Sequence, residues 1–238
     1  MVRLRIFGLG LLIGAVVLLA LFIMESRAES NSSAYFPDAL RHMAARYRYR
    51  QARAAAFSGE RIVYLSRAAR LDRDDPDIWS DLCQNMVRES VTGSNVLVCW
   101  RAVGLRGDAA NNQALGVAYQ AQGSYKQAAV AFSQAHQLEP GNPLTVSNLM
   151  TADLELQQYA QAVSVGEAFL AATAAAAPSK PVPYLEDIYA ELGFAYQRLG
   201  RMREAEAAYA HTKFSGCTGI GDPMGKLDCK LRIPPEVE

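Results

Sequence analysis

The sequence predicts an all-α protein: an N-terminal transmembrane helix followed by an α-solenoid of about four helix hairpins. Three observations carry that reading. A leucine that opens a short motif recurs as Leu82, Leu115, Leu149 and Leu192, at steps of 33, 34 and 43 residues. Alternating runs of Val, Ile and Thr, the mark of half-buried strands, are lacking, and alanine is abundant instead. Near the start, residues 6–24 run for 19 positions without one charge.

Residues 1–28 are expected to be a membrane anchor or signal peptide. The apolar run would span about 28 Å as a helix, close to the ~30 Å of a bilayer's hydrocarbon. Ser26-Arg27-Ala28 could serve as a small-x-small cleavage site, but a signal peptide's apolar region usually runs only about 7–15 residues, which favours an uncleaved anchor. Arg3 and Arg5 precede the run, so the positive-inside rule keeps the N-terminus cytoplasmic. The expected location is therefore the inner (cytoplasmic) membrane, single-pass, with the soluble domain on the periplasmic side. Nine arginines within residues 41–73 argue the other way if they count as flanking charge. Gly10 and Gly14, spaced as GxxxG, would let two such helices pair into a homodimer.

Residues 29–57 read as an Arg/Tyr-rich linker and capping helix. In RHMAARYRYRQAR, Arg46, Arg50 and Arg53 share one helical face and Tyr47 stands beside Arg46. Such side chains, wet at one end and apolar along the stem, suit a lipid headgroup layer, so Arg46, Tyr47, Arg50 and Arg53 are the expected membrane-surface contact. A solvated capping helix has the same composition. Whole-chain charge is balanced, 24 basic against 24 acidic residues, and gives no support to a nucleic-acid partner.

Residues 58–213 carry the repeats. Between Ala109 and Pro140, Leu115-Gly116-x2-Tyr119 is followed by Gly123, Tyr125, Ala128-x3-Phe132, Ala135 and Pro140. Leu192-Gly193-x2-Tyr196, Gly200 and Ala205-x3-Tyr209 repeat the order. The copy from Pro143 is degenerate, with Met150 and Asp153 at the small and tyrosine positions, and the copy from Pro76 has Cys83 and Cys99 instead. Residues 58–76 read as the second helix of a further, weaker repeat, and 171–183 as an insertion. This pattern resembles the tetratricopeptide repeat, a helix–turn–helix of about 34 residues. The resemblance implies a peptide-binding scaffold whose first helices line a groove. At i, i+4, i+7 those helices present Gln84, Gln113, Val117, Gln120, Thr151, Leu154, Phe194 and Gln197, an uncharged and mildly apolar set. Repeat domains that clamp acidic C-termini use lysine and asparagine at such positions, so a neutral protein segment is the expected ligand.

Four cysteines, without CxxC or CxxCH, exclude zinc-finger spacing and covalent haem. Cys83 and Cys99 are equidistant from the turn around residues 90–94, so antiparallel helices would face them towards each other. A bridge there would contribute roughly 3 kcal/mol in the chain-entropy account. Cys217 and Cys229 frame a Gly/Pro-rich tail, residues 214–238, as a second expected disulfide. Four ordinary thiols in a reducing compartment are the alternative.

No assembled chemistry emerges. His42, His136 and His211 lie on different helices and are expected to be solvated or cap-adjacent, without a paired carboxylate. Gly221 to Lys226 lacks the spacing, the hydroxyl and the preceding strand of a phosphate loop. The expectation is a non-enzyme with no cofactor and no metal. Two functions stand: a membrane-anchored adaptor in assembly of an envelope complex (secretion, pilus, polysaccharide export or cytochrome maturation), or an accessory subunit permanently bound to a larger membrane enzyme.

Overall fold

In the computed structural model, residues 38–89 and 95–212 are described in full and residues 214–217 and 229–231 by their backbone. The expected membrane helix, with Gly10 and Gly14, lies outside the described residues. Among those described, no helix is long and apolar enough to cross a membrane.

The described residues form ten α-helices: α1 (Asp38–Ala54), α2 (Ser58–Leu71), α3 (Pro76–Arg88), α4 (Asn95–Leu105), α5 (Ala109–Gln120), α6 (Tyr125–Leu138), α7 (Pro143–Glu155), α8 (Tyr159–Ala176), α9 (Leu185–Arg198) and α10 (Met202–Tyr209). A two-stranded antiparallel ribbon, β1 (Phe214–Cys217) with β2 (Cys229–Leu231), follows and was not anticipated. It sets Cys217 opposite Cys229 in the strand register, and β1 lies against α9 and α10. The helices fall into two compact units, divided after Asn85.

In the first unit α1 packs along α2, so the expected capping helix is the partner of a hairpin. Ala44, Ala45 and Ala52 of α1 and Leu65, Ala68 and Ala69 of α2 are buried, small side chains that allow close approach. Arg46 Nη2 is 2.9 Å from Asp75 Oδ2, and Tyr49 donates its hydroxyl to Asp81 Oδ2 at 2.8 Å. Burial and that carboxylate push the Tyr49 phenol up to about 12. His42 Nδ1 bonds Asp72 Oδ2, which corrects the expectation that no histidine meets a carboxylate.

In the second unit each helix from α4 to α10 packs on the next, and the first helices α5, α7 and α9 also touch in sequence. Entry and exit of those helices follow one local chemistry. Asp108 accepts from Asn111 N at 2.8 Å to cap α5, and Asn142 accepts from Leu144 N at 3.1 Å to cap α7. Asp75 does the same for α3, through Asp77 N at 3.0 Å. At their C-termini, Ser124 N reaches Tyr119 O, Gln158 N reaches Asp153 O, and Arg201 N reaches Tyr196 O, at 2.8–3.0 Å. This six-to-one bond is the Schellman closure, which puts the residue after the helix in the left-handed region. Gly123 (φ 70°) and Gly200 (φ 75°) meet that demand freely, whereas Gln157 (φ 59°) meets it in the degenerate copy.

The helix crossings show why the motif reads as it does. A Cβ added to Gly116 would lie 2.4 Å from Phe132, and one on Gly193 would lie 2.5 Å from Tyr209. Each glycine is thus the socket for an aromatic sixteen residues on. In α7–α8 the order is exchanged: Met150 stands on the first helix, and Gly166, sixteen residues later, has Met150 Cε and Leu192 within 2.9 Å of where its Cβ would be. Cys83 and Cys99 have the same separation.

Candidate functional site

A binding face in this fold has to come from first-helix positions that the core leaves partly exposed. Gln113, Val117 and Gln120 on α5, Thr151 on α7 and Gln197 on α9 are half-buried, the exposure expected of a groove floor. Gln84 is likewise half-buried and belongs to the first unit.

Two of the expected groove residues are core instead. Leu154 is 4% exposed and Phe194 5%, and both join the main apolar cluster with Met150, Ile188, Leu192 and Tyr209. The reason is geometric. α7 packs on α5 and α9 as well as on its partner α8, and α9 on α7 and α8 as well as on α10, so the free stripe is narrower than the i, i+4, i+7 set. Large apolar side chains at its edge are drawn under the adjoining helix. Phe194 meets Tyr159 of α8 edge-on at 6.4 Å between ring centres, with Arg198 over both rings.

The sequence reading missed Glu191 on α9. Its Oε1 accepts from Thr151 Oγ1 at 2.7 Å and from Ser147 Oγ at 3.0 Å, both on α7. Its Oε2 is shielded from solvent and has no hydrogen-bond partner. Burial pushes its carboxyl up to about 8; the two hydroxyl bonds oppose that shift and nearby Asp187 adds to it. The signal available was an acidic residue immediately before Leu192-Gly193, where α5 has Ala114. Gln113 shares the orphaned character, since neither its Oε1 nor its Nε2 has a partner although both are shielded. Buried polar atoms left unpaired cost about 1–3 kcal/mol each, which is tolerated where a ligand will pair them.

Asp153, at the position of Tyr119 and Tyr196, is 5% exposed, and burial pushes its carboxyl up to about 6. In α9–α10 the corresponding Tyr196 donates its hydroxyl to Glu167 Oε1 at 2.5 Å under the Arg201 guanidinium. Burial, and then that bond, raise the phenol to about 12.

The other expected sites are placed as follows. Cys83 and Cys99 are both buried and both disulfide-bonded. The side chains of Cys217 and Cys229 lie outside the described residues. Of the expected membrane-surface residues, Tyr47, Arg50 and Arg53 are exposed, while Arg46 is committed to Asp75, with Asp77 at 3.9 Å. His211 stacks on Tyr189 at 4.3 Å, and burial lowers the affinity of His136 for a proton. Among the described residues no three His, Cys, Asp or Glu side chains converge as metal ligands.

Residues 119–181 match the tetratricopeptide repeat family. The fold is tetratricopeptide-like. Solved structures of MamA share it: the MamA protein at a TM-score of 0.61 and 14% identity, covering 72% of this chain and 89% of that one. MamA AMB-1 gives 0.58 at 18% identity, with 72% and 96% covered. MamA MSR-1 gives 0.58 at 17%, with 72% and 94% covered. At these identities the likeness is one of fold. No curated protein matches the chain in sequence.

Proposed function

We infer that this chain is a tetratricopeptide-like binding protein that holds a segment of another protein along the first helices of residues 86–238. The observation that carries this reading is the uncharged, half-buried strip Gln113, Val117, Gln120 and Thr151, in which the amide of Gln113 is shielded yet unpaired at both ends. An extended peptide's backbone offers the N–H and C=O such an amide lacks. The apolar run at residues 6–24 supports a tether to the inner membrane, with the repeats on the periplasmic side. Disulfide-bonded Cys83 and Cys99 suit that oxidising compartment. There the protein would serve as an adaptor in assembly of an envelope complex, such as secretion, pilus, polysaccharide export or cytochrome-maturation machinery.

One observation favours the second reading, a permanent accessory subunit. Leu97 and Trp100 on α4 and Val130 on α6 are exposed, Trp100 to 65%, on second helices rather than first. Apolar side chains in that position suit a lasting contact with a larger protein.

The test is gentle detergent extraction of the full chain with identification of what co-purifies, repeated with Val117→Glu plus Thr151→Arg. Val117 borders the Phe132 cluster and Thr151 bonds Glu191, so helicity and Tm are measured alongside, and a variant that keeps both should still lose the partner. Full recovery of the partner by the folded variant would refute the groove. Recovery lost instead with Leu97→Glu plus Trp100→Glu would establish the accessory-subunit reading.

A further inference from the structure

We propose that Ser147, Thr151 and Glu191 form a recognition site for a lysine side chain carried by the segment bound along the first helices; this rests on the binding reading above. The three side chains bring their oxygens together where α7 meets α9. Glu191 Oε1 already accepts two hydroxyls, whereas Oε2 accepts none. A carboxylate with one oxygen spent and one unpaired suits an ammonium better than a guanidinium. Arginine's fork seeks both oxygens in parallel, while an ammonium aims separate donors at Oε2 and at the lone pairs of Ser147 and Thr151.

Among the described residues the charge that acts on Glu191 is Asp187, four residues earlier on α9, and it is of like sign. α7 contributes only the two hydroxyls. On α8 Glu167 accepts from Tyr196, and just before α10 Arg201 bonds Glu204. A purely structural tie between α7 and α9 would need only an acceptor at Oε1, which glutamine provides equally well. The unpaired second oxygen has no structural use. Gln113, unpaired on the neighbouring first helix, is a separate indication that this face is completed by something bound.

The site carries a proton consequence. With its carboxyl raised to about 8, unliganded Glu191 is largely protonated at neutral pH, and an ammonium must displace that proton. Binding should therefore strengthen as pH rises towards 8, by up to tenfold per unit, since lysine keeps its charge throughout that range.

Random dodecapeptide display on the full chain in detergent, run in parallel on E191Q and V117E, tests this. The expected result is a shared lysine at a fixed position among peptides selected by the wild-type protein, with that lysine preference gone for E191Q. A resynthesised selected peptide should lose at least tenfold in affinity when its lysine becomes norleucine, and several-fold with arginine. The norleucine peptide should also lose the dependence on pH between 6 and 8, a readout that uses the unmodified protein and stands even if E191Q misfolds. Peptides selected without lysine preference but lost with V117E would overturn the lysine site and leave the groove reading intact. No selection, or selection indifferent to V117E, would overturn both.

Discussion

In α5–α6, Gly116 on the first helix admits Phe132 from the second; in α7–α8, Met150 fills the first helix and Gly166 opens the second. The two hairpins close with the same backbone bonds, so the exchange is one of side chains alone. What the crossing requires is one void and one filler sixteen residues apart, and either helix can supply either. A motif written as residue types therefore scores α7–α8 as degenerate although its crossing is complete. Cys83 and Cys99 stand at the same two positions of the α3–α4 copy, and both are disulfide-bonded.

The largest expected effect comes from blocking a socket. Gly116→Leu puts atoms inside Phe132 and should cost about 3 kcal/mol, lowering Tm by roughly 6–12 °C, measured by thermal circular dichroism. Gly116→Met with Phe132→Gly imports the α7–α8 arrangement; it should be far more stable than the sum of its single changes, and simple additivity would contradict the exchange.

Asp153 separates the two hairpins electrostatically. Its folded-state pKa of about 6 lies above the usual 3.8, so protonation favours the fold. That contribution is complete below about pH 4 and is lost as pH rises through 6. Asp153→Asn should therefore gain stability relative to wild type between pH 4 and 7, on the order of 2 kcal/mol, read from urea unfolding at a series of pH values. A constant difference across that range would show that Asp153 is not desolvated.

The caps come next. Asn142→Ala should cost about 1 kcal/mol, and Asp108→Ala a similar amount, because each leaves first-turn N–H groups without their acceptor. The smallest effect is a gain. Gln157→Gly should stabilise α7–α8 by about 0.5 kcal/mol by relieving a left-handed glutamine, and Gly123→Gln should take a similar amount from α5–α6.

Much of this architecture was legible in the sequence. Leu115, Gly116, Phe132 and Gly123 announce the crossing and its turn. The groove was less legible. Leu154 and Phe194 have the right periodicity for a free face, but periodicity along one helix carries no information about which neighbours cover it. Glu191 was hidden for the opposite reason: an acidic residue beside a core leucine reads as a solvated one until α7 is seen to bring Ser147 and Thr151 to it. The ribbon of β1 and β2 escaped because three or four residues per strand leave no alternation to read.

The central claim is that the first helices recognise and the second helices pack. A photo-reactive amino acid placed at Thr151, and separately at Trp100, in the full chain in its native membrane tests it most directly. The account expects one recurrent protein adduct from Thr151, abolished by Val117→Glu, and none that depends on Val117 from Trp100. Adducts formed only from Trp100, with Thr151 silent in folded protein, would contradict it.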